Sequence, residues 1–94
     1  MLRFTVPVGV PIRLNADTIT VVTRQSFREF RIVHRGKEYA ISKFCDATLE
    51  IDGHVVRVTT SMRSAAGNAG NRSMADCVSI GIDAPSAVKI ERPR

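Results

Sequence analysis

Residues 77–92 read Cys-Val-Ser-Ile-Gly-Ile-Asp-Ala-Pro-Ser-Ala-Val-Lys-Ile-Glu-Arg, and this stretch decides the fold. The branched residues Val78, Ile80 and Ile82 alternate with small or polar ones, as in a strand that buries one face. A turn is predicted over 83–86, because proline and short polar side chains favour turns. A last short strand is predicted over 87–91, since Val88 and Ile90 share one face there. The stretch therefore predicts β-structure.

The rest of the chain follows the same pattern. Further strands are predicted over 1–6, 10–14, 18–23, 30–33, 38–41, 48–51 and 55–60. Two hairpin turns are predicted, at Arg35-Gly36-Lys37 and at Asp52-Gly53. Residues 26–29 have the spacing of a helix capping box, which allows one helical turn at most before the branched residues that follow. No internal repeat is visible, and the whole chain reads as one all-β domain, 1–94.

Length and composition narrow the class of protein. The chain has 94 residues, of which 44% are hydrophobic and 24% charged, as in an ordinary globular domain. No apolar run approaches the roughly 18–20 residues of a membrane span, and the two early prolines make a poor signal peptide. A cytoplasmic location is predicted, and with it free thiols at Cys45 and Cys77.

The charge balance points to a polyanionic partner. The formal net charge is +5, and arginine dominates the 14 basic residues. Arginine presents a planar fork that suits phosphate groups and guanine edges. Catalysis is not predicted, because His34 and His54 lie at turns and no nucleophile motif is present. No residues have the spacing of a metal site, and no cofactor is expected.

Residues 24–43 combine basic side chains with aromatic rings. Single-stranded RNA binding needs this mixture, since cations bind phosphates and rings stack on unpaired bases. The segment contains or adjoins four of the five aromatic residues: Phe27, Phe30, Tyr39 and Phe44. The alternative is a hairpin whose rings belong to the core and whose arginines face water.

Both ends of the chain resemble the carbon storage regulator family (CsrA/RsmA), small bacterial post-transcriptional regulators. At the C-terminus the matching residues are Ile80-Gly81-Ile82-Asp83-Ala84-Pro85, Val88, Ile90 and Arg92. At the N-terminus they are Met1-Leu2, Phe4-Thr5, Gly9, Ile12, Leu14, Asp17 and Ile19-Thr20-Val21. The two blocks cover about 1–24 and 77–92 in the family's order.

The resemblance implies a five-stranded, CsrA-like intertwined homodimer, in which strands of one subunit pair with strands of the other. Residues 25–76 would be an insertion between the family's third and fourth strands, with hairpins over 28–60 and a flexible loop over 61–76. The implied function is sequence-selective regulation of translation by binding RNA hairpins that present GGA, in message leaders or small regulatory RNAs. The binding surface would join the first strand of one subunit to the last strand of the other.

The resemblance also assigns site residues. It places Arg92, Phe4, Thr5, Ala84, Pro85, Val88 and Ile90 at the RNA surface. Arg3 has no equivalent in the family; it shares a face with Thr5 by strand alternation, and it is predicted to replace a lost positive charge at the RNA surface. Auxiliary RNA contacts are predicted from the basic segment of the insertion, at Arg28, Arg31, Arg35 and Lys37. The family's first-strand arginines fall on Val6 and Pro7 here, and its penultimate-strand arginine falls on Ser79. A second hypothesis is therefore a protein-interaction or decoy module that kept the frame, lost GGA recognition and binds a protein partner through the insertion. A third is a plain structural β-domain.

Overall fold

A computed structural model describes residues 1–60 and 76–92, and this part of the chain is built from β-strands without any helix. The nine strands are β1 (Leu2–Pro7), β2 (Pro11–Leu14), β3 (Asp17–Ser26), β4 (Glu29–His34), β5 (Lys37–Ile41), β6 (Ala47–Ile51), β7 (His54–Thr60), β8 (Cys77–Asp83) and β9 (Ile90–Glu91). The all-β fold class predicted from the sequence is confirmed. Within these residues no helix could cross a bilayer.

The strands form two antiparallel sheets. The four-stranded sheet has the order β1-β8-β7-β6, and the five-stranded sheet has the order β5-β4-β3-β2-β9. Five of the seven strand pairings within the described residues join strands that follow one another in the chain; the other two join β1 to β8 and β9 to β2. The first and last strands thus each join a sheet through a strand far away in the sequence.

Alternating apolar residues from both sheets form one hydrophobic core. The inward-facing branched aliphatic residues of β2, β3 and β7 are fully buried. Fully buried side chains in the core include Val6, Ile12, Leu14, Ile19, Val21, Ile32, Ile51, Val56, Val58, Val78, Ile80 and Ile82. Burial of a branched or aromatic side chain of this size contributes about 1.5–3 kcal/mol, so the packing of the two sheets dominates stability.

The tight turns are where the sequence predicts them. The β4–β5 turn contains Arg35 and Gly36, and the β6–β7 turn contains Asp52 and Gly53. All four have positive φ, between 52° and 81°. This is the geometry of a two-residue hairpin turn whose twist matches the flanking strands. Asn15 in the β2–β3 turn has a φ of 57°, which asparagine tolerates better than most residues.

Two local predictions are corrected by the structure. The strand predicted over 87–91 is limited to Ile90–Glu91, because the chain turns before it: the Val88 amide donates to the Pro85 carbonyl at 2.9 Å. The residues of the capping-box pattern at 26–29 form a hairpin turn instead of a helical one, with Ser26 opposite Glu29. Tertiary pairing of β3 with β4 overrides the local signal there.

The segment predicted as an insertion contributes to both sheets. Within it, β4 and β5 extend the five-stranded sheet, while β6 and β7 extend the four-stranded one. Its two predicted hairpins, β4–β5 and β6–β7, are confirmed. Most of the loop predicted over 61–76 lies outside the described residues.

β8 departs from the simple one-face burial predicted for it. All of its residues from Cys77 to Ile82 are buried. The side facing away from the core is covered near Ser79 by the β3–β4 turn: the Ser79 amide donates to the Phe27 carbonyl at 2.8 Å. The Arg24 Nε donates to the Cys77 carbonyl at 2.7 Å in the same region.

Candidate nucleic-acid interface

Arg3 and Thr5 lie on the exposed face of β1. Strand alternation turns both outward, while Val6 is fully buried. Arg3 is opposite Gly81 on β8. A Cβ atom at Gly81 would lie only 3.0 Å from the Met1 Sδ and 3.1 Å from the Thr59 Cγ2, so these two side chains cover the glycine. Arg3 therefore stands beside a mixed apolar and hydroxyl surface.

Arg92 follows β9 and is exposed. It lines an open depression of about 360 Å³ together with Pro11, Arg13, Ala16, Thr18 and Glu91. That volume is at the lower end of the range for small-ligand sites. Glu91 is paired with Arg13, whose Nε lies 3.7 Å from the Glu91 Oε2. The carboxylate next to Arg92 in the chain is thus already engaged by another arginine.

Asn15 holds the segment that precedes Arg92. The Lys89 amide donates to the Asn15 Oδ1 at 2.7 Å, and the Asn15 amide donates to the Lys89 carbonyl at 3.0 Å. The Asn15 Nδ2 donates to the Asp52 Oδ2 at 2.8 Å. Asn15 therefore ties the segment before β9 to the β2–β3 turn and ties that turn to the β6–β7 turn of the other sheet.

The apolar members of the predicted site serve as a frame. Val88 is buried, and Phe4, Ala84 and Ile90 are partly buried against the core. Their side chains pack against the core and hold β1 and β9 in place.

Ala84 and Pro85 line a different depression from Arg92. This one has a volume of about 330 Å³ and also includes Val55, Arg57 and Asp83. Arg57 is bound to Asp46, with its Nε 2.8 Å from the Asp46 Oδ2. The Arg57 guanidinium, together with a hydrogen bond from Thr59, lowers the pKa of the Asp46 carboxyl. Arg3, Arg92 and Pro85 therefore lie at three separate places, and among the described residues no side-chain hydrogen bond or ion pair joins them to one another.

The auxiliary cations of the β4–β5 hairpin have protein partners. Arg35 donates to Asp17, with its Nη2 2.7 Å from the Oδ2, and His34 contacts the same carboxylate at 3.3 Å. Arg31 lies 3.9 Å from Glu38. The Lys37 Nζ is 5.4 Å from the Tyr39 ring centroid, and Arg28 is half-buried.

By contrast, neither the Arg3 nor the Arg92 side chain has a hydrogen bond or ion pair with any residue among 1–60 and 76–92. An external anion that binds these two guanidinium groups would therefore displace no partner within the described residues. The other arginines of 1–60 each have a partner that the ligand would have to replace.

The aromatic residues divide between core and surface. Phe30 is buried and Tyr39 packs against the core, as the alternative reading of this segment predicted. Phe44 is the exception, since 88% of it is exposed. The Lys43 Nζ lies 4.9 Å from the Phe44 ring centroid. The polar residues around Phe44 are the sequence signal that could have identified it as a surface ring.

Arg13 is a further surface cation that the sequence did not single out as a site residue. Its neighbours Ile12 and Leu14 are both fully buried, so strand alternation alone would have placed it on the outer face. It shares the depression of Arg92.

Comparison with known proteins gives no assignment. No family model matches the chain, and neither a curated protein nor a solved structure matches it.

Proposed function

We propose that the protein is a sequence-selective RNA-binding regulator of translation that recognises GGA-containing hairpins. The observation that carries the proposal is the pair of exposed arginines, Arg3 on β1 and Arg92 after β9, which lack partners within the described residues. The net charge of +5 adds a long-range attraction for a polyanion. The resemblance of both ends of the chain to the carbon storage regulator family supplies the expected RNA sequence.

The two arginines have different roles in this proposal. Arg92 reads a guanine edge, because its depression leaves room for a base and its guanidinium can bind in a bidentate manner. Arg3 binds phosphate, because it stands on an open strand face. Such a contact adds affinity for every RNA without adding sequence preference.

The test is an RNA titration with a GGA hairpin and a matched CCA hairpin, at two salt concentrations. Arg92→Ala should weaken GGA binding by roughly 1–3 kcal/mol and leave the CCA hairpin almost unaffected. Lys43→Ala is the matched control, since it removes one positive charge from an exposed position outside the assigned site residues. Unchanged GGA preference in Arg92→Ala would remove this residue from the site.

A protein-interaction or decoy module is the second candidate function. The specific observation in its favour is Phe44, a large exposed ring beside Lys43 on a depression that also includes Arg28 and Glu29. Val6, the position of a family arginine, is moreover part of the core. Binding that depends on salt but shows no preference for GGA over CCA would favour this candidate.

The intertwined homodimer implied by the resemblance stays a prediction. It requires a mass of about twice 10.3 kDa. The pairing of β1 with β8 and of β2 with β9 occurs inside one chain. These contacts favour a protein that needs no exchange of strands with a second copy. For the location of the protein, we propose the cytoplasm.

A further inference from the structure

The strand pairing has an internal two-fold pattern. β1, β2, β3 and β4 correspond to β5, β6, β7 and β8, and the correspondence converts the pairing of one sheet into that of the other. β2–β3 becomes β6–β7, and β3–β4 becomes β7–β8. The pairing of β4 with β5 becomes that of β8 with β1. Each half therefore gives its first strand to the sheet of the other half.

The correspondence holds at the level of single residues. Residues 2–21 match residues 39–58 with a constant separation, as Leu2 and Tyr39 show by facing Ile82 and Ile32. A β-bulge after Val21 then shifts the register by one residue, so that Thr23↔Arg31 corresponds to Thr59↔Gly81. The four β2–β3 pairs recur in β6–β7 in the same register. They are Pro11↔Thr20 with Thr48↔Arg57, Ile12↔Ile19 with Leu49↔Val56, Arg13↔Thr18 with Glu50↔Val55, and Leu14↔Asp17 with Ile51↔His54. A one-residue slip within either of these two hairpins would have broken this agreement.

The two halves meet at equivalent residues. Asn15 and Asp52 occupy the same place in the β2–β3 and β6–β7 turns, with φ values of 57° and 52°. The Asn15 Nδ2 donates to the Asp52 Oδ2 at 2.8 Å. A residue contacts its own equivalent only near a two-fold axis, so the axis passes between these turns.

The two halves differ at one edge. In the five-stranded sheet β9 covers the edge of β2. Its counterpart on β6 is missing from the described residues, where β6 ends the four-stranded sheet. The second half also has Ala40, Ile41 and Ser42 in the positions of Arg3, Phe4 and Thr5.

We infer that the chain is an internally duplicated, single-chain counterpart of a two-fold dimer, and that it carries one RNA-binding surface instead of two. The first-strand exchange that the resemblance assigns to two subunits is completed within one copy. The second half has Ala40 where the first half has Arg3. Among the described residues, no strand pairs with the outer edge of β6, so this half has no counterpart of Arg92 there. The number of surfaces rests on the proposed function, whereas the duplication rests on the pairing alone.

The test uses the full chain and three measurements. Light scattering should give about 10.3 kDa, and the unfolding midpoint should not change over a hundred-fold range of protein concentration. Native mass spectrometry with the GGA hairpin in excess should show one RNA per chain. A mass of twice 10.3 kDa with concentration-dependent unfolding would overturn the single-chain core. Two RNAs per chain would overturn the single surface.

Two variants test whether the RNA binds to the first half of the chain alone. Arg3→Ala should weaken the one complex several-fold, while Lys43→Ala, on the matching segment of the other half, should leave GGA affinity unchanged. Equal losses in the two variants would mean that both halves bind RNA, contrary to the inference. If no RNA binds at all, the proposed function fails, and the mass and unfolding data still decide whether one chain completes the fold.

Discussion

Replacement of Asn15 tests how the turn region holds the end of the chain. Asn15→Ala removes the side-chain bonds to the Lys89 amide at 2.7 Å and to the Asp52 carboxylate at 2.8 Å. Each such bond contributes about 0.5–1 kcal/mol at a half-exposed site. Alanine also meets a penalty of about 1 kcal/mol at a φ of 57°. The total loss in the free energy of unfolding should be about 2–3 kcal/mol.

The assay is chemical denaturation followed by circular dichroism, with two further variants that separate the contributions. Asn15→Gly keeps the backbone conformation accessible and loses only the side-chain bonds, so it should cost about 1 kcal/mol less than Asn15→Ala. Thr18→Ala, at a nearby exposed position, should stay within about 0.5 kcal/mol of the unmodified protein. An Asn15→Ala protein as stable as Thr18→Ala would refute the role given to this turn.

Two other predictions concern acid stability and thiol reactivity. The Arg35 guanidinium lowers the pKa of the Asp17 carboxyl below its usual 3.8, with His34 helping and desolvation opposing. The stabilisation is therefore complete well above pH 3.8 and is lost as the pH falls through the lowered pKa, and Asp17→Asn should flatten the fall in stability measured from about pH 5 to pH 2. Cys45 is exposed and Cys77 is buried, so iodoacetamide should modify one thiol in the folded protein and both in denaturant. Equal rates for the two native thiols would contradict this burial.

The strands and hairpin turns could be predicted because local rules decide them. Asp52-Gly53 adopts positive φ at both residues, and the alternation around it sets which side chains point to the core. Arg92 was identified from the resemblance, and its exposure agrees with a surface role. These features depend on a few neighbouring residues, and the sequence displays them directly.

The duplication could not be predicted, because almost no side chain is shared between the halves. Over the 20 aligned positions of 2–21 and 39–58, only Val21 with Val58 is identical. What persists is the order of inward apolar positions, which many unrelated strands also show. The partners of Arg35 and Arg31 were equally hidden, since they depend on cross-strand neighbours that only the register reveals.

The exchange of first strands also determines when the protein can fold during synthesis. β1 pairs with β8 from Leu2↔Ile82 to Pro7↔Cys77. β1 therefore cannot pair until β8 has been synthesised. β2 to β5 need only successive hairpins, which close quickly because their loops are short. The β2, β3, β4 and β5 strands of the five-stranded sheet can therefore pair during translation. Until β8 has emerged, β1 has no partner strand and its unpaired edge is accessible to chaperones.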